Sequence, residues 1–583
     1  MRIFIVTNEY SNNGGGLSYS CVKYESLLKS LGHEVEILKS GIEDTSLIHG
    51  GYNEHLGIEI ASEMKLKTDS MRIRSCDLLI GFGGGFNAYY TALLAIKTNV
   101  RYWLLFRGSD ANLCKWDADK CYQTKFALSK AERVFALSDE MALNLKNLAG
   151  ISNVVVIPNH KEREAFIICD ISADIIHLGT GATHLNEKKG VRLLIEMVSA
   201  YNTKYEDSKI SLDLVGKVDE DVLTQYKTLI SNLHLEKYVR FLGYMNREDF
   251  RSLQKSWDIY IQGSVCEGMG NSIVDSMSLG LPVMLTNTGY VSEVAEVHYP
   301  EILFNSFYPD SMAKQLHSLI KDPNRKIKFE RFYNHFFNLV SMESIRKKWE
   351  CLLVGNLKPK LEIQSDTIIS VSLHEVDGME HDNITTPISV FENFAKRVFE
   401  MGYRLCSMSD YILLDRNSKK ASIVCTFDDG YTGLYENALS ILNKYGFTAT
   451  VFVCYNYIGQ SNDWNFKDKK SRAHLSVDQL KELQKNGWEI GSHGLTHRSL
   501  LRLNDDEVRR ELKESKTKLE QLFGPIISYA YPYGDYSSFI MSQVEEFYKY
   551  AFLLTQGGVF LNVDALRIHR YYISEIYQII SAK

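Results

Sequence analysis

A short apolar run, Ile423-Val424-Cys425, leads straight into Thr426-Phe427-Asp428-Asp429-Gly430-Tyr431. Such a run reads as a buried strand, so two adjacent carboxylates stand where it ends. Side chains alternate along a strand, which points the pair in different directions. One can then hold a metal while the other faces a water on it, and Gly430 lets the chain turn away at once. Taken alone, the pattern also suits a plain Asp-Gly turn. A second strand end narrows the reading: Trp488-Glu489-Ile490-Gly491 runs up to His493, with His497 four residues further on. One turn of helix would bring the two rings to one side. With Asp429 they supply two nitrogens and one oxygen and leave a fourth position for water, as in a catalytic rather than a structural zinc site. A third strand end, Tyr529-Ala530-Tyr531, is closed by Pro532-Tyr533-Gly534-Asp535.

These three motifs, in this order, resemble the NodB-type polysaccharide deacetylases of carbohydrate esterase family 4, from about residue 367 to the C-terminus. The resemblance implies a distorted (β/α) barrel that removes N-acetyl groups from amino sugars. It implies a divalent ion, zinc or else nickel, cobalt or manganese, on Asp429, His493 and His497, with Asp428 as the base and a backbone N–H near Tyr533 at the oxyanion. The general acid stays open between two histidines. Ile368-Ile369-Ser370-Val371-Ser372-Leu373 reads as a strand ending in His374, the order of the circularly permuted poly-N-acetylglucosamine deacetylases. His569, in Leu566-Arg567-Ile568-His569-Arg570, resembles the more usual C-terminal motif. Ala530 stands where the usual deacetylases place an arginine, so Asp428 is expected to lack that orienting partner.

A chain of 583 residues exceeds what one core organises, about 250 to 300 residues. Upstream of the motifs, apolar runs alternate with helical patterns. Strands are expected at 3–6, 34–38, 77–80, 102–106, 133–136 and 154–157, then at 175–178, 211–215, 239–242, 259–262 and 283–285. This is the α/β pattern of two Rossmann-like halves facing each other across a cleft, with ligands beyond the carboxyl ends of the strands. Gly15 and Gly16 fall in a glycine-rich loop after the first strand. There helix N–H groups would meet a phosphate or sugar, although a plain tight turn needs the same residues.

One strand-end loop in the second series is richer. Ser264-Val265-Cys266-Glu267-Gly268-Met269-Gly270-Asn271-Ser272 opens a helix carrying Asp275. Glu267 and Asp275 can grip different hydroxyls of one ligand while the helix N-terminal amides face its phosphates. With Arg107-Gly108-Ser109-Asp110, Ile157-Pro158-Asn159, Glu187-Lys188-Lys189-Gly190, and Glu293 after Thr286-Asn287-Thr288-Gly289, the stretch closely resembles the family-4 retaining glycosyltransferases of the GT-B fold, over about residues 1–355. The resemblance implies a nucleotide-sugar donor held by Gly15, Gly16, Arg107, Lys189, Glu267, Gly268, Gly270, Asn271, Ser272 and Asp275, with Glu267 also catalytic. Asp275 replaces the usual Glu. Gly179-Thr180 lacks the usual Arg, which leaves Lys189 as the main phosphate partner.

The expected organisation is a first Rossmann-like domain over 1–165, a donor-binding one over 166–355, a polar linker over 356–366 and the deacetylase over 367–583. Residues 327–352 are expected to cross back onto the first half. A net charge of −6 gives no reason to expect nucleic acid as partner. The ten cysteines include no CxxC pair, so neither a zinc ribbon nor a disulfide framework is indicated. The N-terminal apolar run is too short for a signal peptide and no stretch is long enough to span a membrane. The chain is therefore expected in the cytoplasm, with peripheral membrane contact left open. Its acceptor would be a glycan, a lipid-linked sugar or a small molecule. The alternative is that one half is a degenerate carbohydrate-binding or scaffold module.

Overall fold

The computed structural model describes the chain apart from residues 9, 11–15, 42–64, 74, 109–110, 112–116, 163–167, 169–170, 172–174, 355–367, 379–383, 462–471, 555–563 and 582–583. The chain forms two compact units that part within the stretch 355–367, so the expected linker lies outside the described residues.

The first unit holds two parallel sheets. Strands β1 (Arg2–Thr7), β2 (Glu34–Lys39), β3 (Leu78–Phe82), β4 (Tyr102–Leu105), β5 (Arg133–Ala136) and β6 (Val154–Val156) lie in the order β2-β1-β3-β4-β5-β6. Strands β7 (Ile175–His184), β8 (Lys209–Lys217), β9 (Val239–Gly243), β10 (Ile259–Gln262), β11 (Val283–Thr286) and β12 (Leu303–Phe304) lie in the order β12-β11-β10-β7-β8-β9. Both are the expected doubly wound sheets. Buried on both faces, their central strands are continuous apolar runs rather than alternating ones. The order reverses between β1 and β3 and between β7 and β10, and a crevice opens beyond the carboxyl ends at such points.

Two details depart from expectation. Strand β7 runs on to His184 instead of stopping at Leu178. Gly179 and Gly181 look like a strand terminator in sequence, but they sit inside the strand because bulk is excluded there. A Cβ on Gly179 would lie 2.0 Å from the Trp257 ring, and one on Gly181 2.3 Å from Phe250. Strand β12, of two residues, is too short to show a pattern.

The stretch expected to cross back is two helices. Arg325–Val340 stays with the second sheet, where Tyr333 Oη donates to the Leu281 carbonyl at 2.7 Å. Met342–Val354 returns to the first. Its Ile345, Trp349 and Leu353 join the core built on Ile3, Ile5 and Phe82, and Trp349 stacks on Phe135 with ring centroids 5.1 Å apart.

The second unit contains β13 (Ser370–Leu373), β14 (Glu375–Asp377), β15 (Thr385–Pro387), β16 (Arg404–Cys406), β17 (Ser422–Phe427), β18 (Thr450–Val453), β19 (Glu489–Ser492), β20 (Ser528–Ala530), β21 (Tyr550–Leu554) and β22 (Ile568–Arg570). Strands β14 and β15 form a separate parallel pair. The large sheet runs β13-β17-β18-β19-β20-β21-β22, with β16 beside the first half of β17. It comes round on itself: Ser372 N–H donates to the Tyr571 carbonyl at 3.0 Å, and Tyr571 N–H to that of Ser370 at 2.8 Å. The result is the expected distorted barrel, with its first strand between β17 and its last. Cys406, Val424, Phe452, Ala530, Phe552 and Ile568 pack together as a core. Chemistry is therefore confined to the carboxyl ends of the strands.

Candidate active sites

At that end of the barrel a cavity of about 200 Å³ is lined by His374, Asp428, Asp429, His493, His497 and Tyr533, with Ile384 and Leu554 as apolar wall. Asp429 Oδ1 lies 3.3 Å from His497 Nε2 and 3.7 Å from His493 Nε2, and all three residues are buried. His493 Nδ1 is 2.8 Å from the Ala530 carbonyl oxygen, which can only accept. Nδ1 therefore carries a proton, and Nε2 is the ring atom turned toward Asp429. His497 Nδ1 meets the Tyr533 hydroxyl at 3.1 Å. Burial pushes the His497 pKa down to about 4, so the ring is neutral near pH 7. Asp429 Oδ1 has no hydrogen-bond donor although it is buried. An orphaned buried carboxylate oxygen facing two imidazole Nε2 atoms is costly on its own and suits a divalent cation. The three residues fit one.

The backbone reaches this geometry by strain that sequence spacing does not show. Among the described residues five non-glycine residues have positive φ, and Asp429 (67°), His497 (55°) and Tyr533 (61°) are three of them. Such conformations cluster where function over-determines the chain. Two expectations are corrected here. The histidine pair is not on a helical turn: residues 493–497 form a loop that turns at Gly494 (φ 84°) and at His497. Strand alternation does not separate the two aspartates either, because β17 ends at Phe427 and the left-handed backbone of Asp429 redirects its side chain.

The ligand loop is fixed by a residue that sequence reasoning missed. Glu511, on the helix Asp505–Phe523 and 3% exposed, accepts from the N–H groups of Leu495 (2.7 Å) and Thr496 (3.2 Å) and from Thr496 Oγ1 (2.5 Å). Its only signal in sequence is an acid on the apolar face of an otherwise charged helix. Glu511→Ala leaves these donors buried without an acceptor, which costs about 1–3 kcal/mol for each group left unsatisfied. Urea denaturation is expected to show a loss of about 2–4 kcal/mol, and zinc affinity is expected to fall roughly 10- to 100-fold.

Asp428 does not lack an arginine. Arg570 at the end of β22 donates Nη1 to Oδ1 at 2.6 Å and Nη2 to Oδ2 at 2.7 Å. It is itself held by the Leu553 carbonyl (2.9 Å, from Nε) and Thr426 Oγ1 (3.2 Å, from Nη1). The expectation from Ala530 is thereby corrected. Ala530 packs among apolar residues of the core, and the guanidinium arrives from another strand. Burial alone would raise the Asp428 pKa, but the Arg570 charge overrides it and holds the carboxyl well below the usual carboxylate range.

Of the two general-acid candidates the structure brings His374 to the cavity. His569 neighbours Arg570 on β22 and, by strand alternation, projects from the opposite face. It is 3% exposed and is not among the lining residues, and burial drives its pKa well down.

The first unit holds a larger cavity, about 640 Å³, at the ends of β7 and β10. Lys189, Glu267, Gly268, Gly270, Asn271 and Ser272 line it from the second sheet and Arg107 from the first. Gly270, with φ 75°, opens the helix Asn271–Ser278, whose first N–H groups face this space. Lys189 Nζ donates to Glu267 Oε1 at 2.5 Å. Asp275 is not among the residues lining the cavity. Its carboxylate is engaged elsewhere, by Lys161 Nζ at 2.5 Å and Arg247 Nη2 at 3.4 Å. Gly16 begins the helix Gly16–Ser30. Gly15, Ser109 and Asp110 lie outside the described residues.

Glu293 proves to be a cross-sheet cap. It accepts from Asp139 N–H (2.9 Å) and Glu140 N–H (2.8 Å) at the start of the helix Asp139–Ala149. Glu140 Oε2 in return lies 3.4 Å from Thr288 Oγ1, which takes a hydrogen bond from Glu267 N–H at 3.2 Å. Each sheet thus completes a turn of the other next to the Glu267 loop.

Comparison with known proteins places both regions. The family "Glycosyl transferases group 1" matches residues 182–333 and "Polysaccharide deacetylase" matches residues 415–551. The poly-beta-1,6-N-acetyl-D-glucosamine N-deacetylase of Staphylococcus aureus is 25% identical over 245 residues, 37% of this chain and 82% of that protein. Among solved structures, the Streptococcus pyogenes deacetylase PplD in complex with acetate is 23% identical over 36% of this chain and 96% of its own, with a TM-score of 0.31. Anabaena HepE in complex with UDP is 17% identical over 61% of this chain and 100% of its own, with a TM-score of 0.48. Among the described residues no helix is long and apolar enough to cross a membrane.

Proposed function

The chain carries a group 1 glycosyltransferase region followed by a polysaccharide deacetylase region, and from that premise we propose that it attaches an N-acetylated hexosamine to an acceptor and then removes the acetyl group. The transferase would span 1–355, as domains 1–165 and 166–355, and the deacetylase 367–583, joined by 356–366. The observation that carries the reading is the convergence of Asp429, His493 and His497 on one orphaned oxygen, beside the arginine-held carboxylate of Asp428.

A divalent ion on Asp429, His493 and His497, zinc before nickel, cobalt or manganese, would acidify water and polarise the acetamide carbonyl. Asp428, kept ionised and aimed by Arg570, accepts a proton from the attacking water. His374 donates one to the nitrogen as the C–N bond breaks, so acetate and a free amine leave. The backbone N–H of Tyr533 holds the developing oxyanion. Ile384 and Leu554 limit water beside the acetyl group. The Staphylococcus aureus relative is named for N-acetylglucosamine chemistry, which supports an N-acetylhexosamine as substrate.

In the first unit the helix Asn271–Ser278 and Lys189 would hold the diphosphate of a nucleotide sugar, and Glu267 the sugar, with transfer retaining configuration. Such donors are drawn from the cytoplasmic pool, which supports a cytoplasmic location. The acceptor would be a glycan, lipid-linked or small-molecule sugar in polysaccharide biosynthesis. Calorimetry of the intact protein with UDP, GDP, ADP and TDP tests the transferase half. Binding of one of them is expected, and failure of all would leave that half a scaffold.

A further inference from the structure

Among the described residues of the first unit, Arg107 is the most deeply buried lysine or arginine. It is 5% exposed and lies over the Tyr24 ring at 4.5 Å. Its Nη1 donates to the Ile157 carbonyl at 2.5 Å. Nε and Nη2 are buried and have no partner, and among the described residues no carboxylate pairs with it. Those two N–H groups share one edge of the guanidinium and point in parallel, the arrangement that receives two oxygens of one phosphate or carboxylate. Burying an unpaired charge costs several kcal/mol per ion, and burial lowers the Arg107 pKa accordingly.

The surroundings match. Arg107 lines the same cavity as Lys189, whose charge is already met by Glu267. Ser264 Oγ, a hydroxyl that can donate to an anion, also lines it and is buried without a partner; the Asn159 Oδ1 and Gln262 Oε1 acceptors, likewise unpartnered, suit hydroxyl or N–H groups of the same ligand. The first N–H groups of the helix Asn271–Ser278 complete an electropositive wall.

We propose that Arg107 is a preformed phosphate receptor on the first-sheet wall of this cavity, taking a phosphate group in bidentate fashion and thereby bridging the two sheets through their shared ligand. The proposal deepens the nucleotide-sugar reading and rests on it for the identity of the ligand. The phosphate belongs either to the donor diphosphate or to a phosphorylated acceptor, and the two sources separate experimentally.

The test compares intact wild type with Arg107→Gln and Arg107→Lys by thermal melting and by calorimetry with UDP, inorganic pyrophosphate and inorganic phosphate. Because the guanidinium waits unpaired, ligand-free Arg107→Gln is expected to melt at or above the wild-type temperature, an outcome a structural arginine would not give. Its UDP and pyrophosphate affinities are expected to fall roughly tenfold or more. Arg107→Lys keeps the charge but not the paired edge, and is expected to fall in between. If UDP affinity is unchanged in Arg107→Gln, but inorganic phosphate binds UDP-saturated wild type and not the variant, the phosphate is the acceptor's. A variant that melts lower and binds every probe as wild type does would overturn the proposal. Arginine-dependent pyrophosphate binding without any nucleotide binding would keep the receptor and sink the nucleotide-sugar reading.

Discussion

Arg570→Ala is expected to be the most damaging truncation in the barrel, both for stability and for deacetylation. The Asp428–Arg570 pair is almost completely buried, with side-chain exposures of 4% and 0%. Removing the guanidinium leaves a desolvated carboxylate next to a second one, Asp429. Breaking a buried pair in this way costs about 3–5 kcal/mol, and urea denaturation should show a loss of that size. The pH dependence carries a sign. In wild type the Asp428 pKa is depressed, so the pair contributes stability that is present above the unfolded aspartate value, about 3.9, and lost as pH falls below it toward the folded value. In the variant, burial acts unopposed and penalises the charged form, so acidification relieves it. The gap between the two proteins should therefore close as pH falls below about 4. Turnover should drop by roughly 10²–10⁴, the range expected when a general base loses its aim. Arg570→Lys restores charge without the paired geometry and should recover only part of each loss. Full activity in Arg570→Ala would remove Asp428 from the base role.

The second large effect is loss of the ion. Purified wild type is expected to contain one equivalent of a divalent metal by elemental analysis, and the double variant Asp429→Ala, His493→Ala none. Deacetylation should fall by at least about a thousandfold, since Lewis-acid assistance supplies several kcal/mol of the barrier lowering. Glycosyl transfer should be unchanged. Without metal the double variant should lose about 1–3 kcal/mol, for the Ala530 carbonyl left without its His493 Nδ1 donor, because Asp429 Oδ1 is orphaned and contributes no hydrogen bond to the fold. An unaltered metal content in the double variant would place the ion elsewhere.

Much of this architecture was legible from periodicity. Strands buried on both faces, such as β3 and β10, announce themselves as apolar runs, and their C-terminal ends are where the chemistry sits. What was hidden depended on contacts between distant residues. That Arg570 would serve Asp428 across the barrel, 142 positions away in sequence, follows from the closure of β22 onto β13 and from no local signal. The glycines of β7 read as a stop because only the Trp257 and Phe250 rings reveal why bulk is excluded there. The four-residue spacing of His493 and His497 suggested a helix, whereas a loop with two left-handed residues achieves the same convergence. Asp275 keeps the acidic position of a motif with a shorter side chain, and nothing local announces that Lys161, 114 positions away, pairs with its carboxylate.

Sequential action of the two sites on one sugar is open to test by mass spectrometry of the products that the intact protein releases. With UDP-N-acetylglucosamine and a glycan acceptor, wild type is expected to yield a hexosamine adduct that has exchanged its acetyl group for hydrogen. Asp428→Asn is expected to accumulate the acetylated adduct. If both proteins release the same final product, or if the acetyl group is lost from the free nucleotide sugar before transfer, the sequence of reactions is contradicted.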